Sequence, residues 1–308
     1  VITARRAGRF GKVITAMATP FDDEGRLDVS GAMRLARYLQ ENGSEGLVLS
    51  GSTGEASTLT DDERIALWEA VRASVDLPVF AGSTSNDTAH SVELTMRATD
   101  VGVTGILAVT PYYNRPSQAG LEAHFRAIAR ATHLPVILYD IPIRTGRKIA
   151  TDTILRLCRD VDNIVGVKDA TADPATTLRL LAQAPEGFEC YSGDDALTLP
   201  LLSIGAVGVI SVASHWCGLE CGEMIGRFLE GDVEGALEIQ RGLIESFDFE
   251  SSDEAPNPVP TKAMLRVLGL PAGQCRLPLG VAPKGLEERA KRVLANLEAW
   301  RSSRKTHG

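Results

Sequence analysis

The chain has 308 residues, 44% apolar and 23% charged, which gives ample apolar material for a large core. A formal net charge of −8 argues against nucleic acid or an anionic membrane surface as the main partner. The five cysteines (Cys158, Cys190, Cys217, Cys221 and Cys275) are scattered without a C-x-x-C pair, which suits reduced thiols in a cytoplasm and not a disulfide framework.

In chain order, "VITARRAGRFGKVITAM" is basic but lacks a long apolar stretch, so no secretory signal is expected. No apolar run anywhere approaches the ~18 residues of a membrane helix. "KVITAMATP" reads as the first strand, and "SGAMRLARYLQENG" as a helix with Ala32, Leu35, Ala36 and Leu39 on one face and a glycine stop. After the strand "EGLVLSGS", "TDDERIALWEAVRASV" opens on Thr60 as N-cap with Glu63 three residues on, followed by Ile65, Leu67, Trp68 and Val71. "LPVFAGS" and "GILAVTPYY" are the next strands, and Ser117 opens the helix "SQAGLEAHFRAIARATH". "LPVILYDIP", "NIVGVKDA", "FECYSGDD" and "AVGVISVAS" complete eight strand-like runs. Their spacing of ~20–35 residues is the pitch of repeated β/α units.

The runs are near-continuously apolar, as parallel strands covered on both sides are. A (β/α)8 TIM barrel is therefore expected. The alternative is a doubly wound open sheet, but no G-x-G-x-x-G follows the first strand. After "CGEMIGRFLEGD" the segments "VEGALEIQRGLIESF", "TKAMLRVLGL" and "LEERAKRVLANLEAW" read as helices without strands, around the polar, Pro-rich "SSDEAPNPVP". The expected division is a catalytic barrel over 10–232 and a C-terminal helical extension over 233–308, frayed at "RSSRKTHG".

In such a barrel, chemistry sits at the C-terminal ends of the strands. There the sequence places "GSTGE" (Gly51–Glu55), Tyr112, Tyr113 and Asn114, Tyr139 and Asp140 with Arg144 close behind, Lys168, and "SGDD" (Ser192–Asp195). Taken singly, each has an ordinary structural explanation. Lysines often end strands with the ammonium in water, tyrosines rim barrels, "GSTGE" can be a turn before a helix, and "SGDD" reads most simply as turn and N-cap. Together on one face they describe a pocket. A desolvated lysine becomes a nucleophilic amine that condenses with a ketone, and the iminium then lets a neighbouring carbon lose a proton. A phenol held by another hydroxyl can relay that proton. Glycines flanking Ser52 and Thr53 let backbone N–H groups approach a carboxylate, and an arginine can bind a second one. These are the parts of an aldolase that uses a 2-oxo acid and neither metal nor cofactor. The five histidines (His90, His124, His133, His215 and His307) show no metal-ligand spacing, and His215 reads as a loop or interface residue. Asp194 and Asp195 would repel a phosphate.

The motifs "GSTGE", "TPYYNRPSQAG", "LYDIPIRTG", "VGVKDA", "YSGDD" and "GVISV" occur in an order that resembles the dihydrodipicolinate synthase / N-acetylneuraminate lyase superfamily from about Val13 onward. "IPIRTG" and "TPYYNRPS" resemble its synthase branch. The resemblance implies condensation of pyruvate with aspartate 4-semialdehyde to 4-hydroxy-tetrahydrodipicolinate, on the route to diaminopimelate and lysine, in the cytoplasm. It implies Lys168 as the Schiff-base residue and Tyr139 as general acid/base. Ser52 and Tyr113 complete a hydroxyl relay, Tyr113 reaching into the neighbouring subunit's site. Thr53 and adjacent amides hold the pyruvate carboxylate, Arg144 binds the semialdehyde carboxylate, and Gly193 and Ile210 line the pocket. It further implies a homo-oligomer, a dimer or a tetramer built from dimers.

Three positions depart from the branch's pattern: Ser52 for threonine, Asp140 for asparagine, and Ile143, which replaces a small or polar residue beside the distal substrate. The alternative is another 2-oxo-acid aldolase, a sialic acid or 2-keto-3-deoxy sugar acid lyase, from which Arg144 discriminates. A catalytically silent barrel acting as a regulator is opposed by the retained lysine, tyrosines and hydroxyls. Lysine-inhibited members carry a serine, histidines and a glutamate at the positions of Ala56, Asp61, Arg64 and His90, so weak lysine sensitivity is expected here.

Overall fold

The computed structural model describes residues 6–305. Eight parallel strands close into a barrel in sequence order: β1 Val13–Ala16, β2 Gly46–Leu49, β3 Val79–Ala81, β4 Gly105–Val109, β5 Val136–Asp140, β6 Ile164–Asp169, β7 Glu189–Ser192 and β8 Gly208–Ser211. β8 pairs with β1 through Ile14 and Ile210, so the open-sheet alternative is excluded. The outer layer is α1 Val29–Glu41, α2 Asp61–Arg72, α3 Thr88–Val101, α4 Gln118–Arg130, the single turn α5 Pro142–Thr145, α6 Thr151–Asp160, α7 Pro174–Leu181, α8 Thr198–Ser203 and α9 Ser214–Glu230. Then follow α10 Val233–Gly242, α11 Ile244–Phe249, α12 Val259–Val267 and α13 Leu286–Lys305.

Local chemistry accounts for the boundaries. Thr60 and Glu63 form the reciprocal capping box of α2, and Ser117 caps α4 by accepting the Gly120 N–H. The helix expected from Ser30 starts one residue earlier, because Asp28 accepts the Gly31 N–H. Alternation along the strands sorts side chains into two layers. Ile14, Val48, Phe80, Leu107, Ile137, Tyr139, Tyr191 and Ile210 fill the barrel interior, while Val136, Leu138 and Val167 pack outward against the helices. At one end of the barrel interior, Arg9 donates its backbone N–H to the buried Glu189, which also accepts the Tyr191 hydroxyl. The C-terminal helices build a second core with α9, around Met224, Ile239, Phe249, Met264 and Val293. The tail expected to fray is helical to Lys305, and Arg301 forks onto Glu220 at 2.7 and 2.8 Å. Thr306, His307 and Gly308 lie outside the described residues, as do Val1 to Arg5.

Candidate active site

Parallel register sets Tyr139 of β5 beside Lys168 of β6. Both point inward, and the Lys168 Nζ lies 4.4 Å over the Tyr139 ring. Lys168 is 4% exposed, and burial pushes its amine down to about 8, helped by the Arg144 charge and opposed by Asp195 and Glu250. About a tenth is therefore the free, nucleophilic amine at pH 7, far more than for an ordinary lysine. Burial pushes the Tyr139 phenol up to about 12, against the Arg144 charge and a hydrogen bond with Ser52, so it stays a proton carrier and not a phenolate.

The loop after β2 turns sharply between two non-glycine residues in the left-handed region, Ser50 at φ 49° and Glu55 at φ 55°. The loop also packs against Gly82, where a Cβ would fall 2.3 Å from the Ser50 carbonyl oxygen. The turn closes on itself through Glu55 N–H to Ser52 O and Ala56 N–H to Gly51 O, both 3.1 Å. Among the described residues the N–H groups of Ser52, Thr53 and Gly54 meet no acceptor. Three successive unsatisfied donors make a concavity for a carboxylate.

Ser52, Tyr139 and Arg144 line one cavity of ≈ 290 Å³, together with Thr84, Tyr112 and Asn257. Arg144 projects from α5 and donates to the Asn257 carbonyl at 3.1 Å. The same asparagine donates its side-chain amide to the Thr53 hydroxyl at 2.9 Å and accepts from Thr261. Asn257 thus ties the carboxylate loop to the arginine. The sequence reading passed over it as part of a polar connection; the available signal was an Asn-Pro step leading into an apolar helix that carries Lys262.

The other expected residues are placed as follows. Thr53 and Ile210 are both buried, Ile210 in the barrel interior, and neither is among the residues that line the cavity. Gly193 donates to Asp169 O at 2.7 Å, and a Cβ there would stand 2.8 Å from that of Ala170, so its role includes the close approach of β7 to β6. Tyr113 is not gathered into the cavity of this chain. It is 91% exposed, with a left-handed φ of 72°. Ile143 is 90% exposed and absent from the cavity lining, so the expectation that it flanks the distal substrate is corrected within this chain.

"SGDD" is more than a turn. Asp194 accepts the Ala196 and Leu197 N–H groups and makes the expected turn, but it is not the expected N-cap: α8 is capped at Leu197 without a side-chain bond. Asp195 is buried and accepts from the Ser211 hydroxyl and the Val212 and Ala213 N–H groups. Burial, together with the Asp195 charge, holds the Glu250 carboxyl well above the usual carboxylate range. His215 is neither loop nor interface. It is buried in the first turn of α9, with Nδ1–H to Val212 O at 2.7 Å and Nε2 accepting the Ala18 N–H at 3.1 Å. Burial pushes it down to about 4, so it is a neutral structural histidine.

With this geometry in place, residues 9–297 match the model of the dihydrodipicolinate synthetase family. The chain is 48% identical over 288 residues to a 4-hydroxy-tetrahydrodipicolinate synthase of Moorella thermoacetica, covering 93% of this chain and 98% of the relative. To the Bacillus subtilis enzyme of that name it is 45% identical over 272 residues, 88% of this chain and 93% of the relative. Among solved structures, a dihydrodipicolinate synthase of Bacillus anthracis superposes with a TM-score of 0.90 at 42% identity, covering 94% of this chain and 98% of that one. The Cyanidioschyzon merolae protein, solved with lysine bound, superposes with a TM-score of 0.91 at 41% identity, covering 94% and 99%.

Proposed function

This chain belongs to the dihydrodipicolinate synthetase family, and from that premise we propose that it condenses pyruvate with L-aspartate 4-semialdehyde through a Lys168 Schiff base, giving 4-hydroxy-tetrahydrodipicolinate. The observation that carries the reading is the buried Lys168 amine, held near 8 beside a phenol that stays protonated.

The Lys168 amine attacks C2 of pyruvate. The carbinolamine takes a proton from Tyr139 on its oxygen and loses water, leaving the iminium. C3 gives up a proton to the Tyr139 phenolate and the C–H electron pair flows into the iminium to make an enamine. Its C3 attacks the aldehyde carbon, whose oxygen takes that proton from Tyr139 and becomes the 4-hydroxyl, and the phenolate then receives the proton lost by the cyclising amine. The amine of the former semialdehyde then attacks C2, displaces the Lys168 nitrogen and closes the ring. Ser52, hydrogen-bonded to Tyr139, orients the phenol for these transfers. Thr53 and the three open N–H groups receive the pyruvate carboxylate, Arg144 receives that of the semialdehyde, and Gly193 and Ile210 shape the wall.

Tyr113 fits as a residue donated to a second copy's site. A left-handed, exposed tyrosine is costly alone, by about 1–2 kcal/mol, and is understandable where a partner surface receives it. We therefore read the protein as a homo-oligomer, at least a dimer. The division into a 10–232 barrel and a 233–308 helical region is supported by the change after α9 from strand–helix units to helices alone, although the core of those helices is shared with α8, α9, β1 and β8. A cytoplasmic location is supported by five free, buried thiols. No helix among the described residues is long and apolar enough to cross a membrane.

The test is turnover of purified protein with pyruvate and a panel of aldehydes. Aspartate semialdehyde should be consumed with kcat/KM at least about tenfold above N-acetylmannosamine or sugar-acid aldehydes. Preference for a polyhydroxylated aldehyde would replace this reading with a lyase.

A further inference from the structure

A second lysine is buried more deeply than Lys168 and has no part in the chemistry above. Lys262, on α12, is wholly inaccessible. Its Nζ stands 2.6 Å from Glu55 Oε1, with side-chain exposures of 1% and 0%. It also donates to Gln274 O at 3.1 Å and lies 4.0 Å over the Phe21 ring. Its nitrogen is thus fully engaged and is no rival nucleophile. The other Glu55 oxygen accepts the Arg276 backbone N–H at 2.8 Å. The Arg276 side chain reaches the Thr58 carbonyl at 2.7 Å and the Gly25 carbonyl at 2.8 Å, and pairs with Glu63.

A buried ion pair is poor evidence of stabilisation, because desolvating both ions offsets their attraction. What this pair does supply is geometry. Glu55 is the last residue of the carboxylate loop and lines the cavity. Its backbone is left-handed, a conformation that disfavours a side chain unless something holds it. The far end of the loop, Ser50, is equally left-handed and is fixed from the barrel side, by the Trp68 indole N–H at 2.8 Å and by its own hydroxyl to Gly82 O at 3.2 Å. At the other end the flanking Gly54 and Ala56 carbonyls are held from the barrel side, by Thr19 at 2.7 Å and Arg64 at 2.5 Å, but the Glu55 side chain is held from the C-terminal region, by Lys262 and the Arg276 amide. Between these anchors lie the three N–H groups that meet no acceptor.

We propose that Glu55 is a positioning residue for the 2-oxo acid: clamped by Lys262 and the Arg276 amide, it aims the Ser52–Gly54 N–H groups at the substrate carboxylate. The C-terminal region, which already lines the cavity through Asn257, thereby also sets the affinity for the first substrate. This deepens the function proposed above and rests on it.

The test compares wild type, Glu55→Gln, and Glu55→Gln/Lys262→Met, which removes both charges and leaves no orphan ammonium should the single variant fold poorly. Two readouts are taken: KM for pyruvate against kcat and KM for the semialdehyde, and the pyruvate concentration that half-saturates borohydride trapping. Both variants should need about tenfold more pyruvate in each readout, with the semialdehyde KM within about twofold of wild type. A purely structural pair would lower the melting temperature and leave the pyruvate dependence unchanged, which overturns the proposal. So would a double variant with wild-type pyruvate dependence, since the single variant's defect would then come from the unpaired ammonium. Failure of pyruvate to trap the wild-type protein at all would instead sink the functional reading beneath it.

Discussion

Replacing Asp140 by asparagine should stabilise the protein, increasingly so as pH rises from 3.8 to about 7. Asp140 follows Tyr139 and so faces outward, into the helix layer, where strand register sets it beside Asp169. Asp169 is well supplied with donors, from the Thr171 N–H at 2.8 Å and the Thr177 hydroxyl. Asp140 has the Ile149 N–H, shared between its two oxygens at 3.2 and 3.3 Å. Burial, with the Asp169 charge adding to it against Ile149 and Lys148, pushes its carboxyl from 3.8 to about 7. A raised carboxyl keeps its proton in the native state where the unfolded chain has lost it. Its destabilising effect is therefore absent below 3.8, grows as pH rises, and is complete above about 7. At 1.36 kcal/mol per pKa unit the ceiling is roughly 4 kcal/mol; structural relaxation reduces the expected effect to about 2 kcal/mol. Asparagine keeps an acceptor for Ile149 and can donate to Asp169. At fixed protein concentration, Asp140→Asn should raise the melting temperature by roughly 2–5 °C at pH 8, with about half that gain at pH 5.5. An equal gain at both pH values, or a loss at pH 8, would show that the wild-type carboxyl is not neutralised by its surroundings.

Arg144→Ala should raise KM for aspartate semialdehyde by about 10–100-fold through loss of a charge-assisted carboxylate contact, as steady-state kinetics would show. Because the Arg144 charge also holds the Lys168 amine down, the same variant should need a higher pH for imine formation; unaltered kinetics toward the semialdehyde would favour a lyase. Millimolar lysine should leave initial rates almost unchanged. Arg64 is a buried cation whose charge acts on Asp61 and Tyr112, and His90 is already paired with Asp61 at 2.9 Å, so neither replaces a glutamate as a seat for an ammonium. Inhibition at sub-millimolar lysine would refute this.

Much of the architecture is legible in the sequence because short-range physics decides it. Apolar runs at a steady pitch mark the strands, and Thr60 with Glu63 or Ser117 marks a helix start without reference to the rest of the chain. The inward lysine and tyrosine are legible for the same reason, since a polar residue ending a buried strand conflicts with its neighbours. What is not legible is what the C-terminal region does to the barrel. Asn257, Lys262 and Arg276 act on Thr53, Glu55 and Thr58 across more than two hundred positions, and no local period encodes such a pairing. The outward place of Ile143 was missed because a single helical turn after β5 rotates Arg144 toward the cavity and its predecessor into solvent. Asp195 looks like half of a turn motif, and its anchoring of the segment after β8 depends on β7 lying beside β8.

The central claim is that Lys168 is the nucleophile, and the measurement closest to it is borohydride trapping in the presence of pyruvate, read by peptide mass. The expected result is one pyruvate-derived adduct, on the peptide containing Lys168, with an initial trapping rate that rises with pH through about 8 as the amine loses its proton. An adduct on Lys262 or any other lysine, or undiminished turnover by Lys168→Ala, would contradict it.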